Sequence, residues 1–255
     1  MNAGFRLLQK ALPFLLVAVV LVLWEIAARS GLWSRLLFPS LASIAYEFAL
    51  FLVTPERLHE AWVSLYRALG GFALAATVGI LLGIVMGRSR FVAALLDPLF
   101  SGTYAVPKIV MLPIFMLWFG IGELSKVLII ALACFYPVFI NAYYGAKATP
   151  TILVWSALNM GAGRGAVFRR VVVPSAAPMI LAGMRVSLAL SFIVMFAAEM
   201  INASSGLGHL IRVAENSLRF DLMYVSLLSI AILGYAGDRL VRLAHSRLLA
   251  WQQPA

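Results

Sequence analysis

The sequence predicts an all-α, polytopic membrane protein with six transmembrane helices. Three observations lead there. Hydrophobic residues make up 63% of the 255 positions, against roughly 45–50% in soluble domains. Apolar runs of about 18–25 residues recur, each long enough to cross a hydrocarbon core of roughly 30 Å. Only 12% of residues are charged, and most of these fall between the runs. The ten-residue alternation of an outer-membrane barrel is missing.

Charge distribution then sets the expected orientation. With the N-terminus inside, the inner segments hold Arg6, Lys10, Arg88, Arg90, Lys147, Arg164, Arg169, Arg170, Arg239, Arg242 and Arg247, against only Asp97 and Asp238. The outer segments hold Arg29, Arg35, Arg57, Lys126, Arg212 and Arg219, offset by Glu47, Glu56, Glu60, Glu123, Glu215 and Asp221. A Lys and Arg excess on one side is the positive-inside signature, so both termini are expected in the cytoplasm. The net charge of +10 is thereby read as topology and not as a nucleic-acid surface.

Span one covers about Ala11 to Ala28 and is read as retained, because no small-residue cleavage site and soluble domain follow it. Gly31 to Glu60 is external, with turns at Phe38-Pro39-Ser40 and Thr54-Pro55 and an interfacial helix over Leu41 to Leu52. Span two, about Ser64 to Gly87, places Gly71, Ala75, Gly79, Gly83 and Gly87 at every fourth position. Such a stripe lets another helix approach closely in lipid. It is expected to serve packing within the chain or, less simply, a subunit interface. Arg67, at the start of this span, reads as an unremarkable interface cation.

Span three, about Leu96 to Phe119, holds Pro98, Pro107 and Pro113. Pro107 and Pro113 are expected to kink it, which membranes tolerate where neighbours or water satisfy the freed carbonyls. Lys108 at that kink either attracts an anion in transit or snorkels to an aqueous cavity. Span four is about Leu124 to Tyr144, with Pro137 inside. Span five is about Pro174 to Ile201, with Gly183, Ser187 and Ser191 as a second small-residue face and Arg185 as a snorkelling cation. Glu199 near its outer end, with Asn202 beside it, either lines a translocation path or braces the Ser204-Ser205-Gly206 turn by accepting its N–H groups. Span six is about Leu222 to Leu243, followed by a basic tail.

Between spans four and five lies WSALNMGAGRGAVFRRVVVP, Trp155 to Pro174. Ile152 to Met160 is expected as a short amphipathic helix, Gly161 and Gly163 as positive-φ turn residues, and Ala166 to Val173 as a second short helix. Pro174 suits the first turn of the next span. The segment is a cationic helix–turn–helix suited to docking.

This loop resembles that of the permease subunits of ATP-binding-cassette importers. In that family it reads Glu-Ala-Ala, three residues, Gly, and about nine residues to Leu-Pro. Here Gly161 stands at the glycine and Ala162 follows it. Arg164 and Phe168-Arg169-Arg170 match the basic part, and Val173-Pro174 stands for Leu-Pro. Trp155-Ser156-Ala157 replaces Glu-Ala-Ala, so the family's acid is lost. The Trp118 to Lys126 run and the Ala197 to Ile211 stretch are similar to the nitrate, sulfonate and taurine branch. The resemblance implies a type I importer permease fold over 64–243, with the coupling loop at 152–174. Residues 1–63 form an N-terminal span and external segment, and 244–255 a cytoplasmic tail. It further implies an inner-membrane homodimer, a cytoplasmic ATPase dimer and a periplasmic or lipid-anchored binding protein. The cargo would be a small anion or a thiamine-precursor pyrimidine.

ATP and Mg are expected on the partner ATPase and no cofactor in this chain, since no Gly-x-x-x-x-Gly-Lys-Ser/Thr phosphate loop is present. No catalytic constellation suggests an enzyme, and Cys134, His59, His209 and His245 are too scattered to suggest a metal site. The rival is an ion-gradient-driven secondary transporter, which would need internal repeats and paired broken helices.

Overall fold

The computed structural model describes residues 3–31, 34 and 36–249, and every regular element among them is helical. Arg35 and the end of the basic tail lie outside the described residues, as do the side chains of Arg6 and Lys10. The order is α1 (Ala3–Arg29), α2 (Leu41–Val53), α3 (Pro55–Arg88), α4 (Arg90–Tyr104), a 3-10 turn (Lys108–Met111) and α5 (Leu112–Phe119). Then come α6 (Glu123–Lys147), α7 (Thr151–Asn159), α8 (Arg164–Val167), a π turn (Phe168–Val172), α9 (Val173–Asn202), α10 (Leu207–Asn216) and α11 (Phe220–Leu248).

Four helical stretches are long and apolar enough to cross a membrane: Pro55–Arg88, Glu123–Lys147, Arg164–Asn202 and Phe220–Arg247. The pair α4 and α5 makes a fifth if counted as one span. The 27-residue α1 is the remaining expected span. From Leu12 to Ile26 it leaves most of its apolar side chains exposed, as a lipid-facing helix would.

Helix α6 is the centre of the bundle, with Ile129, Ile130, Cys134, Val138, Ala142 and Ala146 fully buried. Small residues bring a helix against each side of it. On α3, a Cβ at Gly83 would stand 2.7 Å from both the Ala142 Cβ and the Phe139 carbonyl. A Cβ at Gly79 would meet Phe139 N at 3.2 Å, and one at Gly87 the Tyr143 carbonyl at 2.6 Å. Gly71 likewise faces Ile130. On α9, a Cβ at Gly183 would reach the Pro137 carbonyl at 2.7 Å, and the Ser187 hydroxyl donates to the Cys134 carbonyl at 2.6 Å. The α3 stripe thus packs within the chain. Two backbones approach α6 as closely as lipid-phase association favours.

Several expectations need correction. Helix α3 begins at Pro55 and not near Ser64, because the polar Glu56 to Glu60 stretch continues the helix beyond its apolar part, with Pro55 in the first turn. The third span is not one kinked helix: α4 and the segment Lys108–Phe119 meet at 91°. Pro107 precedes the 3-10 turn and Pro113 sits in the first turn of α5, so neither interrupts a helix. The break falls just before Pro107, where proline pushes Val106 out of helical geometry. Pro98 is the one inside α4. The helix expected over Leu41 to Leu52 is α2, and it packs on α11 and α3. There its buried Glu47 pairs with Arg57 at 2.9 Å and Arg219 at 2.7 Å.

Candidate functional site

Two polar constructions stand at opposite ends of the bundle, about 36 Å apart along the 25 residues of α6. The first is the elbow between α6 and α9. Helix α7 forms where expected, and Gly161 turns the chain at φ +84°. Gly163 has φ −69° in an extended conformation, so only the first glycine needs the left-handed region. The second short helix is not separate. Α8, the π turn and α9 follow without a break, forming one rod from Arg164 to Asn202. The wide π turn lies where a regular helix would press the Pro174 ring on the Arg170 carbonyl. The elbow is therefore continuous with α9.

The surface of α7 differs from the amphipathic expectation. Only Val154 is buried, while Ile152, Leu153, Trp155, Leu158 and Met160 are exposed. Ser156 is exposed too, and Ala157 and Ala162 are partly covered. Beside this apolar face, Arg164, Phe168, Arg169 and Arg170 are exposed. An uncovered apolar face rimmed by cations marks a contact surface for another protein or a membrane.

The second construction is a buried ion-pair network. Arg67 and Glu199 are both fully buried and meet at 2.7 Å. The Arg67 guanidinium also forms a fork with both Glu123 oxygens at 2.6 Å and donates to the Ser205 carbonyl and hydroxyl at 2.7 and 2.9 Å. Glu199 accepts further from Ser64 Oγ and from the Gly208 N–H at 2.9 Å. Ser64 in turn accepts the Leu207 N–H at 2.7 Å, and Glu60 takes the Gly206 N–H. A Cβ at Gly206, whose φ is +106°, would run into the Glu199 carboxylate. This one cluster ties α3, α6, α9 and the start of α10 together.

Glu199 thus grips the turn after α9 through Gly208 and Arg67, and not through the Ser204-Ser205-Gly206 N–H groups. Arg67 is not an incidental interface cation; it is the hub. The sequence did carry a signal for it: Arg67 lies one turn before Gly71, in the same every-fourth register that faces α6. Asn202 is exposed at the last turn of α9 and takes no part in the network.

At the broken helix, the Lys108 ammonium donates to the Thr103, Tyr104 and Val106 carbonyls at 2.7, 2.8 and 2.7 Å. It also lies 4.2 Å from the centre of the Tyr136 ring. An ammonium has three N–H bonds, and Lys108 spends all three on these carbonyls, leaving no donor for a solute. It satisfies the carbonyls that the end of α4 exposes. Exposed Pro107 lies at the same break. A cavity of about 410 Å³ lies here, lined by Tyr104, Lys108, Tyr136, Pro137, Leu190 and Val194 among others. It adjoins a second of about 270 Å³ that shares Tyr104 and Tyr136 and adds Asp97, Ser101, Tyr143 and Tyr144. A third, about 420 Å³, shares Met86 and Tyr143 and ends at Arg88, Arg90 and Lys147. The three follow one another along α6 from the helix break to the Arg88, Arg90 and Lys147 end, with tyrosines in the wall of each, and together make a tyrosine-lined groove on that side of α6.

A family model described as binding-protein-dependent transport system inner membrane component matches residues 77–250. The chain belongs to that family. The permease is 32% identical over 93% of its length to the aliphatic sulfonates transport permease protein SsuC of Bacillus subtilis, covering 86% of it. It is 34% identical to the taurine transport system permease protein TauC of Escherichia coli, over 92% of this chain and 87% of TauC. It is 30% identical to the formylaminopyrimidine transport permease protein ThiX of Halalkalibacterium halodurans, over 99% of each. Among solved structures, a chain of the inward-facing MetNI methionine ABC transporter superposes with a TM-score of 0.57, covering 73% of this permease and 94% of that chain. At 17% identity that likeness fixes the fold, which is that of an ABC importer permease.

Proposed function

We propose that this permease moves a small sulfonate-type anion inward by alternating access, driven by ATP hydrolysis on a separate pair of cytoplasmic subunits. It works as a pair of identical copies and receives solute from a binding protein on the face opposite the elbow. One observation carries the reading: an uncovered apolar and cationic α7–α8 elbow is continuous with the core rod α9. ATPase closure would move the Trp155–Pro174 loops, and α9 would pass that movement to α6 through the Gly183 and Ser187 contact. The loop's missing acid leaves Arg164, Arg169 and Arg170 as its charged handles toward acids on the ATPase.

The solute would travel the tyrosine-lined groove and leave past Arg88, Arg90 and Lys147. Lys108 adds a positive field at the break without a hydrogen bond, and Glu199 holds the outer end closed around Arg67. The ring faces of Tyr104, Tyr136 and Tyr143 also suit a flat heterocycle, which favours a pyrimidine as the second cargo reading.

Substitution at Gly161 tests the coupling. An added Cβ meets nothing within 4 Å, so the cost lies in the backbone alone. Holding a β-branched residue at positive φ costs about 1–3 kcal/mol, whereas Asn tolerates that region. Gly161→Val is expected to abolish ATP-dependent uptake of labelled taurine or formylaminopyrimidine in vesicles, with normal membrane insertion. Gly161→Asn is expected to retain it. Equal uptake by the Val variant would remove the elbow from the mechanism.

A further inference from the structure

A second cationic site lies on the far side of α9 from the groove, where α9 meets α11. Asp238 is held by two arginines, Arg185 Nε at 2.6 Å on one oxygen and Arg242 at 2.6–2.7 Å on the other. Both carboxylate oxygens are used, so the cluster keeps a net positive charge. Neither Nη of Arg185 nor Nη1 of Arg242 has an acceptor among the described residues. Each guanidinium offers five N–H bonds in a planar fork, and both are half exposed. Both arginines line a groove of about 340 Å³ whose remaining walls include Leu181, Val186, Val241 and His245.

The depth of the cluster identifies the medium it meets. About 26 Å of helix separates Arg185 from the end of α9 at Asn202, and about 27 Å separates Asp238 from the start of α11 at Phe220. Those two ends lie at one face, so the cluster sits at the other edge of a hydrocarbon core of roughly 30 Å. Cations at headgroup level, with exposed Val186 on their hydrocarbon side where α9 meets α11, match the two parts of a phospholipid.

We propose that Arg185 and Arg242 form a fixed site for the phosphate of an anionic phospholipid, with one acyl chain running over Val186 toward the hydrocarbon core. Asp238 pairs with both guanidiniums and offsets part of their charge, which tempers their affinity. A soluble phosphate could use the same donors, but it would gain nothing from the apolar walls.

The test is native mass spectrometry of the full chain released from nanodiscs of phosphatidylcholine doped with phosphatidylglycerol. Wild-type protein is expected to retain phosphatidylglycerol selectively, and soluble glycerol phosphate should not displace it. Arg185→Gln with Arg242→Gln should lower retention by about fivefold per arginine, the worth of one surface cation at an anionic leaflet. Asp238→Asn should raise it, because the neutralising acid is gone. That second variant separates a binding site from a folding effect, since damage to the fold would lower retention in both. Unchanged retention in the double arginine variant, no gain in Asp238→Asn, or displacement by glycerol phosphate would each overturn the assignment.

Discussion

Arg67 sets the rigidity of the end of the bundle opposite the elbow, because its partners lie on three different segments. Its fork reaches Glu123, Glu199 and Ser205 at once, a geometry that a lysine's three donors cannot copy. Removing one member of a buried ion pair strands the other charge and typically costs about 3–5 kcal/mol. Arg67→Met should lower stability by about that much, measured as thermal unfolding in detergent, and Arg67→Lys by less. Adding Glu199→Gln to Arg67→Met should recover part of the loss. A melting temperature unchanged in Arg67→Met would refute the brace. At this scale the sequence was uneven. Glu199 stood out because no charged residue precedes it for more than three helical turns, back to Arg185. Arg67 did not, since its carboxylate partners lie 56 and 132 residues away. Gly161 was legible from its place before a basic helix. The extended φ of Gly163 was not, because glycine adopts either sign freely.

Among the elements, α6 is the axis against which both small-residue faces close. Gly83→Leu should wedge α3 away from α6, since a Cβ alone would already stand 2.7 Å from Ala142 and from a backbone carbonyl. Overpacking of this kind costs about 1–3 kcal/mol or more, and a rigid backbone neighbour leaves little room for relief. The expected outcome is poor recovery of monodisperse protein, with Gly102→Leu as the control because nothing lies within 4 Å of that site. Equal recovery of both variants would contradict the packing. Apolar runs revealed the long helices and the four-residue stripes revealed which faces meet. Two features escaped this reading. The 91° break depends on the steric demand of Pro107 on its neighbour, while a proline count alone suggested a kink. Helix α10 is strongly two-faced but only ten residues long, so it read as the tail of span five and not as an element.

Taken whole, the molecule is a bundle whose two ends are chemically opposite. One is sealed by a network of internal ion pairs, and the other carries uncovered apolar and cationic surface. That asymmetry fits a device moved from outside itself at one end. The membrane class, the loop and the family were legible from composition, spacing and motif. The network was not, since it exists only once four segments converge. The most direct measurement is solute accumulation in liposomes containing this permease, alone and with its ATPase and binding protein. The account predicts ATP-dependent accumulation only in the complete assembly, and none by the permease alone under a proton or sodium gradient. Accumulation by the lone permease on an ion gradient would contradict it.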